Sequence, residues 1–287
     1  MLTTELIKLN NLQLAGKLVS EQLMLGIHQS KRFGYGIEFE QYRHYEPGDD
    51  PKRIDWKLYA RTDKHLVRES STESNFHLRF IIDLSGSMNY IENGVSRLQY
   101  CKILLASLAY LGYRQSDLMS LYALQNDELH TLVASGKQSF QRILYTLEQA
   151  TASGDWKNSD PKFPILQSSK QKEVIIIASD FLQVSNEWIQ LIKNLANPHR
   201  EVIIFQVLGK QELDFNLKGF YRFKDLESGK EVELQAESIK DEVRRNAEIY
   251  LKNLKDALQI PFVHLVRTDL EAPITNVITE SIKSRKI

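Results

Sequence analysis

Residues 79–90 read RFIIDLSGSMNY, and the fold turns on how this stretch is understood. Phe80, Ile81 and Ile82 form an unbroken apolar run, the mark of a strand covered on both faces. The run then breaks into Asp83, Ser85 and Ser87, three oxygen-bearing side chains at every second position, with Gly86 between the serines. A tight loop with that spacing points all three oxygens into one space, and Gly86 gives the loop freedom to curl. A chain that leaves its core and at once presents a carboxylate and two hydroxyls is building a site at a strand end.

Working outward, the same alternation of apolar strand and amphipathic helix recurs to the end of the chain. The pattern predicts strands at 77–83, 117–124, 129–133, 173–179, 201–208 and 261–267, and helices near 95–114, 138–152, 185–196, 237–258 and 273–284. EVIIIAS and EVIIFQVL are continuous apolar runs, as parallel strands buried on both faces require. The expectation is therefore an α/β fold with a doubly wound, mostly parallel sheet of about six strands over residues 76–287. A Ser-Gly turn flanked by alternating residues adds a hairpin insertion near 219–235. Residues 1–75 are read as N-terminal helices, from the leucine periodicity of 5–26, followed by a segment of short strands and turns.

Composition narrows the function. The chain has 287 residues, 42% of them hydrophobic and 26% charged, ample for a buried core. Lys plus Arg and Asp plus Glu both number 37, which removes the bulk electrostatic case for a nucleic acid or an anionic membrane. Cys101 is the single cysteine, so there is no disulfide framework and no cysteine-based metal centre. It lies on a helical stripe with Leu98, Leu104, Leu105, Leu108 and Leu111, where it reads as a buried structural thiol. Nowhere does the sequence offer about 18 uninterrupted apolar residues for a membrane span, and the expected location is cytoplasmic.

Sites in doubly wound folds form at the carboxyl ends of strands, where strand order reverses. Asp83, Ser85 and Ser87 follow one such strand and Asp180 follows another. If the two strands are neighbours, two carboxylates and two hydroxyls surround one cavity. Hard oxygen donors of that kind suit Mg²⁺ or Mn²⁺; Zn²⁺ would want histidine or cysteine.

DLSGSM after an apolar strand resembles the metal-ion-dependent adhesion site of von Willebrand factor A domains. The upstream segment GIEFEQYRHYEPGDDPKRIDWKLYARTDKHLVRE is more specific. It resembles the signature of domain-of-unknown-function family 58, whose members carry a von Willebrand A-like domain and are paired with MoxR-type AAA+ ATPases. Carried over by that resemblance, Asp83, Ser85 and Ser87 match the first metal motif and Asp180 the later strand-end aspartate. Ser85 and Ser87 would then ligate directly, with Asp83 and Asp180 balancing charge in part through water. Adhesion sites of this type also take a threonine from an intervening loop. That loop falls in TASGDWKNSDPKF, which has no threonine after Gly154; Thr151, Ser153 and Ser159 are the hydroxyls on offer.

Within the signature segment, Pro47-Gly48 marks a turn ahead of Asp49 and Asp50. Arg43, Arg53 and Arg61 alternate with acids including Asp55, and Tyr45 and Trp56 lie between them. Balanced charge argues for an ion-paired structural clasp, with room for a protein-docking role, over a phosphate-binding surface that needs unneutralised cations. The chain shows no P-loop, dinucleotide fingerprint or Gly-x-Ser-x-Gly elbow, and its seven histidines have no metal-ligand spacing. The expected protein is thus a non-enzymatic interaction module with an open-site Mg²⁺ or Mn²⁺ ion. The resemblance implies an adaptor or cofactor of a MoxR-type ATPase in protein-complex maturation. The alternative is a Mg²⁺-dependent hydrolase or phosphatase using the same carboxylates.

Overall fold

The computed structural model describes residues 3–9, 11–31, 41–45, 54, 56–69, 76–125, 128–154, 172–182, 186–226 and 229–284. In chain order the elements are α1 (Thr3–Lys8), α2 (Leu12–Lys31), β1 (Gln41–His44), α3 (Trp56–Thr62), β2 (Leu66–Glu69), β3 (His77–Asp83), β4 (Ile91–Glu92), β5 (Val95–Ser96), α4 (Arg97–Arg114), β6 (Leu118–Gln125) and β7 (Glu128–Val133). They continue with α5 (Ser139–Gln149), β8 (Glu173–Ser179), α6 (Asn186–Leu195), β9 (Arg200–Leu208), α7 (Lys210–Asp214), β10 (Phe220–Lys224), β11 (Glu231–Gln235), α8 (Ala236–Ala257), β12 (Val263–Asp269) and α9 (Ile274–Ser284).

The chain divides into two compact units, Met1–Leu23 with Phe76–Ile287, and Met24–Asn75. The stretch grouped as 1–75 from sequence is thereby parted. Leu6, Ala15, Val19 and Leu23 are buried in the larger unit's core beside Leu104, Leu105 and Ala106 of α4. That burial draws the first helical residues into the α/β unit.

In the larger unit six strands form one sheet in the order β12-β9-β8-β3-β6-β7, parallel except for the antiparallel β6–β7 pair. Chain order reverses between β3 and β8, which pair from His77↔Glu173 to Ile82↔Ala178. β8 is buried along its whole length and β3 nearly so. Two apolar layers flank the sheet: α4, α5 and α9 side chains pack with Phe80, Ile82, Ile176 and Phe205, while Ile81, Ile175, Ile177 and Ile204 pack on the other face with Ile192, Leu254 and Leu258. This is the predicted doubly wound α/β sheet.

Three local differences have identifiable causes. The helix predicted from residue 95 begins at Arg97, because Asn93 (φ 50°) and Gly94 (φ 77°) form the left-handed turn of a two-residue hairpin and Val95–Ser96 pairs with Ile91–Glu92. Ser96 then caps α4, its hydroxyl accepting from Gln99 N at 3.3 Å. The strand predicted at 261–267 runs from Val263 to Asp269, since Phe262 at φ 66° still belongs to the preceding turn. The predicted hairpin insertion is β10–β11, an antiparallel pair closed by Gly229 at φ 70°.

In the smaller unit β1 and β2 form an antiparallel pair from Gln41↔Glu69 to His44↔Leu66. Arg43 lies in β1 and Tyr45 just after it, its amide donating to His65 O at 2.9 Å. Trp56 and Arg61 lie in α3; Trp56 is exposed and meets Tyr59 edge-on at 6.0 Å. Pro47, Gly48, Asp49, Asp50, Arg53 and Asp55 lie outside the described residues, and the ion-paired clasp expected there falls with them.

Candidate metal centre at the strand ends

Leu84 N still donates to Leu124 O of β6 at 2.9 Å, and past it the chain leaves the sheet as the Asp83 carboxylate turns back on its own chain. Asp83 Oδ1 accepts from Ser85 N at 2.8 Å, a side-chain turn that fixes the serine loop. The Ser85 and Ser87 hydroxyls, on either side of Gly86, hydrogen-bond each other at 3.0 Å. The loop is held from outside by Gly86 N donating to Gly154 O at 3.0 Å and Ser153 N donating to Leu84 O at 2.8 Å.

From β8, Ser179 donates its hydroxyl to Asp83 Oδ2 at 2.6 Å and accepts from Phe181 N at 3.0 Å. Asp180 is buried beside it, with Oδ1 accepting from Leu182 N at 3.2 Å. The sharp turn between these bonds places Phe181 in the left-handed region at φ 54°, a strain of roughly 1–2 kcal/mol for a residue with a Cβ. Strain of this kind is tolerated where the surroundings over-determine the backbone, and Phe181 is buried with its carbonyl bonded by Tyr250.

Two carboxylates thus meet in a water-poor space. Burial, and then the charge of Asp180, push the Asp83 carboxyl up to about 6. The described cation here is Arg97, the first residue of α4 and 1% exposed. Its Nη1 donates to Asp180 Oδ2 and to Ser87 O, the latter at 2.8 Å, and Nη2 donates to Glu212 Oε2. The guanidinium lies over the Tyr90 ring, 4.8 Å from its centroid. Although burial opposes its charge, Asp180 and Glu212 outweigh that cost and hold the Arg97 pKa above its ordinary value. Beyond it, Glu92 accepts from Tyr90 OH at 2.8 Å and from Gln211 N at 3.1 Å.

Of the four residues read as metal ligands, Asp83, Ser85 and Ser87 are joined by hydrogen bonds, and Arg97 links Ser87 O to Asp180. A small divalent ion with octahedral ligands at 2.0–2.1 Å has neighbouring oxygens about 3 Å apart. The Ser85–Ser87 separation matches such an edge, and the buried carboxylates outnumber the one guanidinium. On both counts the residues fit Mg²⁺ or Mn²⁺. Among the described residues no cluster of three or more His, Cys, Asp or Glu side chains is placed to hold a metal, so an ion here relies on the hydroxyls and on water. Of the loop hydroxyls, Ser153 accepts from Gln125 Nε2 at 2.9 Å, Thr151 is exposed, and Ser159 lies outside the described residues.

Ser179, Arg97 and Glu212 are the site residues that the sequence reading passes over. Arg97 leaves one trace: it sits four residues before Cys101 and seven before Leu104, on the buried stripe of α4.

Comparison with known proteins completes the picture. An uncharacterized protein of Mycobacterium bovis is 24% identical over 235 residues, covering 77% of this chain and 70% of its own. An uncharacterized protein of Mycobacterium tuberculosis matches with the same figures. Among solved structures, the conserved hypothetical protein BatB from Bacteroides thetaiotaomicron superposes with a TM-score of 0.45 at 15% identity, over 72% of this chain and 99% of that one. The VWA domain of SpRpn10 superposes with a TM-score of 0.42 at 14% identity, over 71% and 94%. The family model for proteins of unknown function DUF58 matches residues 41–253, more than half of the chain, and the protein belongs to that family.

Proposed function

We propose that this protein is a non-enzymatic interaction module that captures a carboxylate of a protein partner at the carboxyl ends of β3 and β8. The observation that carries this reading is the pair of serine hydroxyls 3.0 Å apart beside two buried carboxylates, at the point where strand order reverses. Ser85 and Ser87 would hold Mg²⁺ or Mn²⁺ directly, and Asp83 and Asp180 would balance its charge. When bound, the ion supplies an open coordination position for an acidic side chain. The chain's own part is to keep the loop in shape. Ser85 N and Ser179 OH orient the Asp83 carboxylate, and Gly154 O ties down the loop at Gly86.

By family resemblance the partner is a MoxR-type AAA+ ATPase, with this protein as its cytoplasmic adaptor in complex maturation. Among the described residues no helix is long and apolar enough to cross a membrane. The test is capture of a co-occurring MoxR-type ATPase on immobilised protein, in Mg²⁺ and in chelator, alongside turnover assays on phosphoesters, nucleotides and peptides. The complex should form and be weakened by chelator, by Ser85→Ala and by Asp180→Asn, with no turnover. Steady hydrolysis that disappears in Asp83→Asn would replace the interaction module with a Mg²⁺-dependent hydrolase. A complex indifferent to chelator and to all these variants would move the contact away from the strand ends.

A further inference from the structure

Arg97 occupies an unusual place for an arginine at the start of a helix. It is buried, stacked on Tyr90, and forked between Asp180 on one side and Glu212 on the other. Among the described residues its buried Nε has no hydrogen-bond partner, nor has Glu92 Oε1 nearby, so the cluster is not simply an optimised brace. A guanidinium keeps its charge in proteins, and its planar fork spans two carboxylates where a lysine would serve one. The strand-end site therefore contains a permanent cation bonded to the carboxylate that a divalent ion would share.

We propose that Arg97 is the internal counter-ion of the strand-end site. It competes with the divalent ion for Asp180 and sets how weakly that ion is held. Glu212 acts through it, drawing positive charge away from the site toward α7. The inference deepens the reading of the strand ends as a cation site and rests on it. Its physical basis is that like charges a few ångströms apart in a low-dielectric interior interact strongly, whereas the same charges at the surface are screened. Glu212 is the more accessible partner, its side chain 27% exposed, so a change there perturbs the charge balance with less disturbance to the core. A purely structural Arg97 would lower stability when removed and leave ion affinity where it was.

The experiment is calorimetric titration of Mn²⁺ into wild type, Arg97→Gln, Glu212→Gln and the double variant at neutral pH. Arg97→Gln should bind Mn²⁺ about ten-fold or more tightly than wild type, as expected for a unit charge beside a buried divalent ion, and Glu212→Gln more weakly, because Arg97 is then left wholly to Asp180. In the double variant the Glu212→Gln effect should largely vanish, since its route is through Arg97. Wild type that binds Mn²⁺ with Arg97→Gln no tighter overturns the proposal and leaves the metal reading standing. Wild type that takes no Mn²⁺ while Arg97→Gln does so supports Arg97 as the counter-ion and defeats the metal reading for the native protein. No binding to any of the four defeats both. Should Arg97→Gln fail to fold, Glu212→Gln decides alone: unchanged or tighter binding overturns the proposal.

Discussion

His77 carries a pH signature of its own. It is buried at the start of β3, with Nε2 3.0 Å from Ser120 Oγ and Nδ1 3.8 Å from Glu173 Oε1. A nearby carboxylate would ordinarily favour the charged imidazole. Glu173 is already bonded by Arg79 and Arg200, so burial and then Arg79 dominate and pull the His77 pKa down to about 4. The unfolded chain takes up a proton below about 6.5, whereas the folded one resists until about 4. The stabilisation is therefore complete above pH 6.5 and drains away as pH falls toward 4. Between pH 7 and 5 this group alone should remove about 2 kcal/mol, and urea unfolding of wild type beside His77→Gln measures it. Parallel pH profiles for the two proteins would contradict the assignment. At this scale the sequence is only partly legible. Asp83, Ser85, Ser87 and Asp180 are readable because strand ends and oxygen donors leave a local pattern. Arg97 and Glu212 are 115 residues apart and meet only through the sheet order. Nothing in the spacing of either foretells the other.

Among the elements, the starts of β3, β8 and β9 are pinned by one carboxylate. Glu173 accepts from Arg79 Nε at 2.9 Å and from Arg200 Nε at 2.6 Å, and Arg79 Nη1 donates on to Tyr122 OH at 3.0 Å. Removing the shared acid takes the counter-charge from two buried guanidinium groups. Glu173→Gln should therefore cost about 3–5 kcal/mol in equilibrium unfolding; a loss below 1 kcal/mol would mean that the arginines find other partners. The opposite end of β9 has a steric device. A Cβ on Gly209 would lie 2.4 Å from Tyr90 Cε1 and 2.6 Å from Glu92 Oε2, so the turn into α7 passes directly over β4. Gly209→Ala should cost about 1–3 kcal/mol by overpacking and should disturb the Glu212–Arg97 pair, since Gly209 N donates to Glu212 Oε2 at 2.6 Å. Thermal unfolding unchanged from wild type would refute that close approach. The major strands are legible in the sequence because continuous apolar runs admit few other readings. β4 and β5 are not, being two residues each, although Asn93-Gly94 announces their turn. α7 is five residues long, too short to show periodicity.

For the whole molecule, the doubly wound sheet gathers the site and also loads it with buried negative charge. Asp83 and Asp180 face one guanidinium that Glu212 shares, and the deficit is what a divalent ion would offset. An ion that binds only the folded state at ten times its Kd adds about 1.4 kcal/mol, enough to move the midpoint of a chain this size by a few degrees. Asp83→Asn keeps a hydrogen-bonding side chain of the same shape and removes the charge, so it should fold and lose the response. The decisive measurement is the thermal midpoint of wild type and Asp83→Asn, each in millimolar Mg²⁺ and in chelator. Mg²⁺ should raise the midpoint of wild type alone. Equal midpoints for wild type in the two solutions, or an equal rise in Asp83→Asn, would contradict it.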